Sequence, residues 1–453
     1  MANVQLGYAG VAASNGWAVA RKSGSSWIWD PADGIDGTVG LVQSVDPSVA
    51  YNPLRDRFLL CGLINGSSTS NHDRIGVADF TKTISGGTFG AWRYIDLDST
   101  TVADDFPHIV AGMNGLDIPA GAMAAFGPTF KQEYYIVWHR FDRKLYYAHS
   151  TDDGANWVWG SSEFTAGEFL GPAVYQDGPV LVSFKVAQFA HDTVRLAFGL
   201  DNPDGTVTWS MPILFDDQLR MIDSIPVVCK SVQEFLPRFT PTQTHGETVA
   251  WLAADPTNPT RFFMVYHAPD VTQYSTCPPF GTIPDVDVNV YLREITLFVE
   301  QNAAVIGPPI RVNDPDPPNA ETPSDQFNPA VRVDQTGRVH VVFYDDRDWP
   351  SQRDGNSAPD LKFNVFYASR APGQTTFGPQ RRLFELVDSP TDPPAGNRNL
   401  LTHNGYELGE YLGLDVFRDA FTGAVTVWAG FCGSTPNDEH ADKSVIWASR
   451  VNW

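Results

Sequence analysis

The chain has 453 residues, and 53 Asp and Glu against 31 Lys and Arg give it a formal net charge of −22 at pH 7. Such a charge repels nucleic-acid phosphates and anionic lipid, which argues against a nucleic-acid partner. The composition of 42% hydrophobic residues, with 28 Phe, 13 Trp and 15 Tyr, supplies a large core. No segment has the roughly 18 consecutive apolar residues of a membrane span. We therefore expect a soluble, folded protein without membrane insertion.

Met1 to Tyr8 contain no basic start followed by an apolar run, so no signal peptide is predicted in this chain. The four cysteines show no CxxC spacing and are too few for a disulfide scaffold. Their pairing and the redox compartment therefore stay open.

A short pattern returns along the chain: an acidic or polar residue, an aromatic residue, Pro or Gly within two positions, and then a β-rich run. The copies are Asp105–Pro107, Glu168–Gly171, Glu234–Pro237, Gln326–Pro329 and Glu410–Gly413, with a weaker one at Ser44–Pro47. Six units of about 75 residues are too long for a solenoid but suit four-stranded blades around an axis. The predicted fold is all-β, a six-bladed β-propeller of four-stranded antiparallel blades in one domain, 1–453.

The predicted blades start near residues 45, 106, 169, 235, 327 and 411. The fifth unit is the clearest, with strands at Pro329–Asp334, Val339–Tyr344 and Phe363–Tyr367 and a turn at Gln335–Gly337. The last unit supplies only three convincing strands. Since an open ring exposes sheet edges, residues 1–45 are expected to complete the last blade and close the ring.

Ser150, Asp152, Gly154 and Trp157 form the pattern Ser-x-Asp-x-Gly-x-x-Trp directly after a predicted strand. This motif resembles the Asp-box of sialidase-like (BNR) propellers, in which Asp and Gly close a turn between the two outer strands and Trp packs under it. The stretches Ile310–Asn313, Gly337–Arg347 and Gly409–Leu414 are also similar to bacterial members of that superfamily. The resemblance implies a six-bladed propeller, whereas activity has to be argued from a site.

The residues that lead into the inner strands are acidic in all six units: Asp46, Asp105, Glu168, Glu234, Asp325 and Glu410. If they converge on the axis, carboxylates such as Asp325, Glu410 and Glu168 must be spread apart, protonated, paired with Arg or bridged by a cation. Calcium suits such a site because it takes six to eight oxygen ligands. The alternative is that these acids cap turns at the strand starts.

The sequence contains no HExxH, GxSxG, P-loop or helix-opening GxGxxG motif, which leaves glycoside chemistry as the main enzymatic option. The resemblance to sialidases implies a tyrosine nucleophile, a Glu partner, an Asp acid and base, and arginines on the substrate carboxylate. The matching positions are Tyr411, Glu234, Asp105 and Arg238, and Arg347, Arg140 and Tyr344 are further substrate-binding candidates. The competing role for Tyr411 is packing within the blades, and the alternative for Tyr344 is an end-of-strand tyrosine beside an Arg–Asp pair.

Three functions remain open at this point: a largely structural ring with a metal ion at its axis, and two that involve a glycan or glycoconjugate as partner. One is a divergent exo-glycosidase of sialidase type that acts at the central acidic mouth. The other is a non-catalytic glycan- or protein-binding propeller with a structural cation. Either protein is expected outside the cell, secreted or displayed, and its oligomeric state is left open.

Overall fold

The computed structural model describes residues 2–3, 8–13, 16–23, 26–30, 42–52, 57–65, 73–83, 86–89, 93–95, 104–112, 132–140, 144–165, 168–174, 179–187, 191–229, 250–269, 288–315, 324, 326–345, 347, 364–383, 401–402, 405–406, 412–418, 424–433 and 445–452. These residues form β-strands and turns, and the one helix among them is the short 3-10 turn Val299–Gln301. The described part of the chain contains no helix with the length and hydrophobicity that a bilayer crossing demands.

The first half of the chain forms four antiparallel sheets in succession. Sheet 1 consists of β1 (Ala2–Asn3), β2 (Tyr8–Ala13), β3 (Gly16–Ser23) and β4 (Ser26–Asp30). Sheet 2 consists of β5 (Val42–Asn52), β6 (Arg57–Asn65), β7 (Asp73–Thr83), β8 (Gly86–Phe89) and β9 (Arg93–Tyr94). Sheet 3 consists of β10 (Asp104–Ala111), β11 (Tyr134–Arg140), β12 (Lys144–Ser150) and β13 (Val158–Thr165). Sheet 4 begins with β14 (Glu168–Val174), β15 (Val180–Ala187), β16 (His191–Asp201) and β17 (Val207–Ser210).

The segment after β17 crosses between sheets 4 and 5. It consists of β18 (Ile213–Asp216), β19 (Met221–Ile222) and β20 (Ile225–Cys229). Strand β20 pairs with β16 of sheet 4, whereas β18 pairs in parallel with a strand of sheet 5. This exchange of strands ties the two sheets together through backbone hydrogen bonds.

The second half of the chain adds three more sheets and a short hairpin. Sheet 5 also contains β21 (Trp251–Ala254), β22 (Arg261–Pro269), β23 (Val288–Phe298), β24 (Ala303–Ile306) and β25 (Ile310–Arg311). Sheet 6 consists of β26 (Gln326–Val333), β27 (Val339–Asp345), β28 (Asn364–Arg370) and β29 (Arg381–Arg382). The hairpin is β30 (Leu401–Thr402) and β31 (Gly405–Tyr406), and sheet 7 consists of β32 (Gly413–Arg418), β33 (Val425–Gly433) and β34 (Val445–Asn452).

Sheet 6 shows why these runs become strands buried on both faces. All seven residues of β27 are buried, and alternate side chains enter different cores. Val341 and Phe343 pack toward sheet 5, whereas Val342 and Tyr344 pack toward sheet 7. Because side chains alternate along a strand, a continuous apolar run fits a sheet that lies between two neighbours.

The turn between β26 and β27 is built by Asp334 and Gly337. The Asp334 carboxylate accepts from the backbone N–H of Thr336 at 2.8 Å, and the Gly337 N–H donates to the Asp334 carbonyl at 2.9 Å. Gly337 has φ +78°, a conformation that costs glycine little. The strands and turn of this unit agree with those predicted from the sequence.

Neighbouring sheets follow the chain order. The first strands contact one another in the series β5, β10, β14, β21, β26, β32, and sheet 1 contacts both β32 and β5. Hydrogen bonds cross the boundaries, as when the Ile109 N–H donates to Ser48 Oγ at 3.2 Å and Ser183 Oγ donates to the Ala250 carbonyl at 3.0 Å. The sheets therefore pack face to face in one sequence.

Sheet 1 differs from the expectation for residues 1–45. Among the described strands, β1 to β4 pair only with one another, and no strand of residues 2–30 extends sheet 7. The described chain therefore holds seven sheets of three or more strands, one more than the six units counted in the sequence. The hairpin connections in sheet 1 explain this, since a segment with four strands of its own satisfies its hydrogen bonds internally.

The observed first strands begin near most of the predicted blade starts: Val42, Asp104, Glu168, Gln326 and Gly413. The predicted start near 235 falls in residues 230–249, outside the described residues. The first described strand after them is β21, which begins at Trp251.

Candidate functional site

The strand register defines two ends of each sheet. We call the end at which the first strands begin the leading end, and the end at which they finish the trailing end. At the leading end Asp104 lies opposite Arg140 in sheet 3, Glu168 opposite Lys185 in sheet 4, and Gln326 opposite Asp345 in sheet 6. This end carries the starts of the first strands, where the sequence predicts the mouth.

Several residues predicted for the mouth lie outside the described residues: Tyr411, Glu234, Arg238, Asp325 and Glu410. Asp105 and Glu168 lie in β10 and β14, and their side chains are outside the described part. The catalytic set Tyr411, Glu234 and Asp105 therefore stays a prediction, as does the cation set Asp325, Glu410 and Glu168.

Arg140 is the last residue of β11 and is only 2% exposed. Its guanidinium lies over the ring of Tyr146, 4.1 Å from the ring centroid. This cation–π contact holds Arg140 against its own sheet at the leading end.

Tyr344 is fully buried near the end of β27. Its ring packs on Phe327, with 5.5 Å between the ring centroids, in the core that sheet 6 shares with sheet 7. In this structure Tyr344 therefore contributes to packing behind the leading end.

Arg347 follows β27 directly and keeps a side-chain exposure of 27%. Its Nε donates to Asp345 Oδ2 at 2.7 Å, its backbone N–H donates to Asp345 Oδ1 at 2.7 Å, and its Nη2 donates to both Asp345 and Gln380. The guanidinium stacks on Phe366 at 4.5 Å from the ring centroid. Arg347 is thus a planar, partly exposed donor group at the leading end of sheet 6.

Asp345 is completely buried beneath this guanidinium. Burial raises the pKa of the Asp345 carboxyl, and the hydrogen bonds and charge of Arg347 oppose that rise. A buried carboxylate requires such a partner because an unpaired buried charge is strongly unfavourable. The ion pair therefore orients Arg347 and compensates Asp345.

A buried amide network supports the same end, and the sequence did not single it out. Asn313 Nδ2 donates to Asn289 Oδ1 at 2.7 Å and to Gln326 Oε1 at 2.6 Å, while its Oδ1 accepts from the Val290 N–H at 2.9 Å. Gln326 Nε2 donates to Ser324 Oγ at 2.7 Å. Polar residues at strand ends are the feature of the sequence that could have indicated this network. Only the fold, however, brings these residues of sheets 5 and 6 together.

The trailing end holds the Ser150–Trp157 turn, between β12 and β13. Gly154 N–H donates to Ser150 Oγ at 3.0 Å, the Asn156 N–H donates to Asp152 Oδ1 at 2.8 Å, and Trp157 Nε1 donates to the Gly154 carbonyl at 3.0 Å. Burial raises the pKa of Asp152, but the hydrogen bonds that its carboxylate accepts from Asn156 and Ser150 outweigh this effect and lower the pKa. The motif therefore stabilises a turn at the trailing end, opposite the end at which the sequence predicts the mouth.

No family model matches the chain, and no curated protein matches it. Its structure is similar to an intramolecular trans-sialidase from Ruminococcus gnavus, with 10% identity, 80% of this chain and 89% of that chain covered, and a TM-score of 0.43. It is also similar to the Hadza microbial sialidase Hz136, with 11% identity, coverage of 96% and 73%, and a TM-score of 0.39. A GH43_1 enzyme from Xanthomonas citri, complexed with xylotriose, has 9% identity, coverage of 75% and 91%, and a TM-score of 0.31.

The family that the sequence motifs resemble is thus present among these solved structures. With TM-scores below 0.5 and about a tenth of the residues identical, they assign no activity to this chain. The site has to be judged on its own residues.

Proposed function

We propose that the chain is a carbohydrate-binding propeller whose ligand lies at the leading end of the sheets. In this proposal the ring closes through sheet 1, which contacts both sheet 7 and sheet 2. Strand starts and the loops between second and third strands then face one mouth, where ligands of such rings are held.

The observation that carries the proposal is the Arg347 platform, which we define as Arg347 with Asp345 and Phe366. It combines a planar set of N–H donors with an aromatic ring beneath them, and 27% of the Arg347 side chain remains exposed. Sugars offer hydroxyl groups for such donors, and Phe366, itself buried, supports the guanidinium from below. Because the guanidinium is oriented before binding, less side-chain freedom is lost in the complex.

The charges around the platform favour an uncharged glycan. Asp345 already neutralises the Arg347 guanidinium, and the chain carries a net charge of −22. A carboxylate-bearing sugar would approach against that negative field, whereas hydroxyl groups need only polar partners. We therefore propose neutral sugars as the principal ligand class.

Hydrolysis by a divergent exo-glycosidase is the second candidate. Leu412 is buried in the same core as Phe327 and Tyr344, which puts the start of β32 beside the leading end of sheet 6. Tyr411 precedes Leu412, so it is proposed as the nucleophile, with Glu234 as its partner and Asp105 as acid and base. Arg238 joins Arg347 in the proposed substrate set, whereas Arg140 is buried against Tyr146.

A calcium ion held by Asp325, Glu410 and Glu168 is the accompanying proposal for the mouth, and the protein is proposed to act outside the cell. Carboxylate oxygens are the ligands that such a hard cation prefers. Removing calcium with EGTA should then lower the melting temperature, and calcium should restore it. An unchanged melting temperature contradicts the calcium proposal.

Glycan binding tests the proposed function directly. The protein is applied to an array of neutral and acidic glycans, and hits are measured by isothermal titration calorimetry. Arg347→Lys keeps the charge but loses the planar guanidinium, so it should weaken binding at least about tenfold. Arg220→Lys is the matched control, since Arg220 is also paired with an aspartate, Asp216, but lies on the exposed hairpin before β19.

The outcomes separate the candidates. Neutral hits lost in Arg347→Lys but kept in Arg220→Lys support the platform, whereas hits confined to sialosides contradict the ligand class. Release of sugar from fluorogenic glycosides by the native chain, lost in Tyr411→Phe while binding is kept, supports hydrolysis. The absence of any bound glycan overturns the proposed function.

A further inference from the structure

A second cluster of titratable side chains lies at the trailing end, between sheets 3 and 4. Glu133 immediately precedes β11, His149 lies in β12, and Asp201 ends β16. His149 Nε2 is 2.6 Å from Glu133 Oε1, and His149 Nδ1 is 3.6 Å from Asp201 Oδ1. The cluster is distinct from the leading end, where the glycan is proposed to bind.

The backbone of sheet 4 determines which nitrogen of His149 carries a proton. His149 Nδ1 lies 3.0 Å from the carbonyl oxygen of Gly205, which can only accept a hydrogen bond, so Nδ1 is the donor. In a neutral imidazole Nε2 then has a free lone pair, which faces Glu133 Oε1. Two acceptors at 2.6 Å repel each other unless a positively charged group, a proton or a metal ion, lies between them.

Tyr135 restricts the geometry further. Its ring stacks on the imidazole of His149, with 4.5 Å between centroids and 6° between planes. Its hydroxyl donates to Asp201 Oδ2 at 2.5 Å. Tyr135 therefore orients both the imidazole and the carboxylate, as outer-shell partners orient metal ligands.

The charges point the same way. Two carboxylates and a neutral imidazole carry two negative charges, and one atom of each group lies within 4.8 Å of the others. Two shared protons or one divalent cation would balance the cluster.

We propose that Glu133, His149 and Asp201 bind one zinc ion, which links sheets 3 and 4. Zinc takes one imidazole nitrogen and carboxylate oxygens at about 2.0–2.2 Å. It would replace the proton between His149 Nε2 and Glu133 Oε1, and Asp201, whose Oδ1 faces Nδ1, would rotate to bring an oxygen to the Nε2 side. A nitrogen ligand disfavours calcium and magnesium, which prefer oxygen. The carboxylate side chains are 21% and 33% exposed, which leaves room for water as the fourth ligand.

Zinc titration of the full chain tests the proposal. After dialysis against a chelator, isothermal titration calorimetry with zinc chloride should show one site, and the melting temperature should rise with zinc but not with calcium. Asp201→Asn keeps an acceptor for the Tyr135 hydroxyl but loses the charge, so it should weaken zinc binding at least about tenfold. His149→Gln should abolish the site.

The matched control is His340→Gln. His340 is also a buried histidine, but its ring contacts one carboxylate, Asp334 at 3.3 Å, together with the Tyr367 hydroxyl at 2.7 Å. Its replacement should leave zinc affinity unchanged. Since His149→Gln removes a buried group, circular dichroism is used to check that this variant folds. If His149→Gln is unfolded, the zinc affinity of Asp201→Asn decides the test. Equal zinc affinity in Asp201→Asn and the native chain, or no zinc bound at all, overturns the metal site and leaves shared protons as the explanation.

Discussion

Arg93 of sheet 2 donates from Nη2 to the carbonyl oxygen of Gly154 in sheet 3, at 2.9 Å. Arg93 Nη1 also donates to the neighbouring Ala155 carbonyl at 3.2 Å, and Arg93 Nη2 lies 3.6 Å from Asp79 Oδ1. The outer strand of one sheet thus caps the turn of the next. The Ser150–Trp157 turn therefore stabilises the boundary between two sheets as well as its own hairpin.

The first prediction compares two glycines with the same backbone conformation. Gly154 and Gly373 have φ +78° and +74°. A Cβ on Gly154 would lie 2.9 Å from Leu59 Cδ2, whereas a Cβ on Gly373 would meet nothing within 4 Å. Gly373→Ala should cost about 1 kcal/mol for the left-handed conformation, and Gly154→Ala should cost about 1–3 kcal/mol more for overpacking. Urea unfolding measures both, and equal losses would show that sheet 2 does not press on the turn.

The second prediction concerns the buried ion pair of the Arg347 platform. Arg347→Met leaves Asp345 buried without its partner, which should lower the free energy of unfolding by about 3 kcal/mol near neutral pH. The double variant Asp345→Leu with Arg347→Met removes both charges and should recover most of that loss. A double variant no more stable than Arg347→Met would show that the destabilisation does not come from an unpaired charge.

The loss of unfolding free energy in Arg347→Met should also depend on pH. Without the guanidinium, burial raises the pKa of Asp345 further above its unfolded value. The folded state then binds the proton more tightly, so acidification from pH 8 to pH 5 should narrow the gap between the variant and the native chain. Urea unfolding at both pH values measures the gap, and a gap that widens in acid would contradict the assignment.

The third prediction concerns the amide network. Asn313→Ala removes one hydrogen-bond partner from each of the Val290 N–H, Asn289 and Gln326 in a buried site. It should therefore lower the free energy of unfolding by about 2–4 kcal/mol. Asn258→Ala is the matched control, since Asn258 also accepts from a backbone N–H, that of Thr260 at 3.1 Å, but in an exposed turn. The free energy of unfolding of Asn258→Ala should fall by about 1 kcal/mol or less. Similar losses in both variants would argue against the buried network as a support of the leading end.

The fourth prediction concerns acid stability. Burial lowers the pKa of His267 to about 4, whereas the unfolded chain has the ordinary value near 6.5. As pH falls from 6.5 to 4, the unfolded state takes up the proton first, so stability is lost over that interval, on the order of 3 kcal/mol from this residue. His267→Phe should lose correspondingly less stability than the native chain between pH 7 and pH 4. Parallel pH profiles of the two proteins would contradict this contribution.

Much of the strand plan could be predicted from local sequence. The runs Val339–Tyr344 and Phe363–Tyr367 became β27 and β28 within about three residues, because β-branched and aromatic runs between Asp and Gly turn residues have few other conformations. The number of sheets, in contrast, could not be predicted from the six repeated units. Residues 2–30 have too little of the repeated pattern to be counted, yet they form a four-stranded sheet through hairpins.

The candidate site could be predicted only in part. Arg347 was singled out by its position after a second strand, but its pairing with Gln380 depends on how the chain returns after β28. Tyr344 was a reasonable candidate by type, and the packing of sheet 7 against sheet 6 buries it completely.

The sequence by itself determined that this is an acidic β-protein of repeated antiparallel units with turns of known chemistry, since these properties depend on composition and on neighbours along the chain. Only the tertiary structure decided which polar groups meet. Glu133, His149 and Asp201 come from two sheets, and Asn313 joins two others. Contacts between sheets depend on the register and packing of whole strands, and no spacing along the chain encodes them locally.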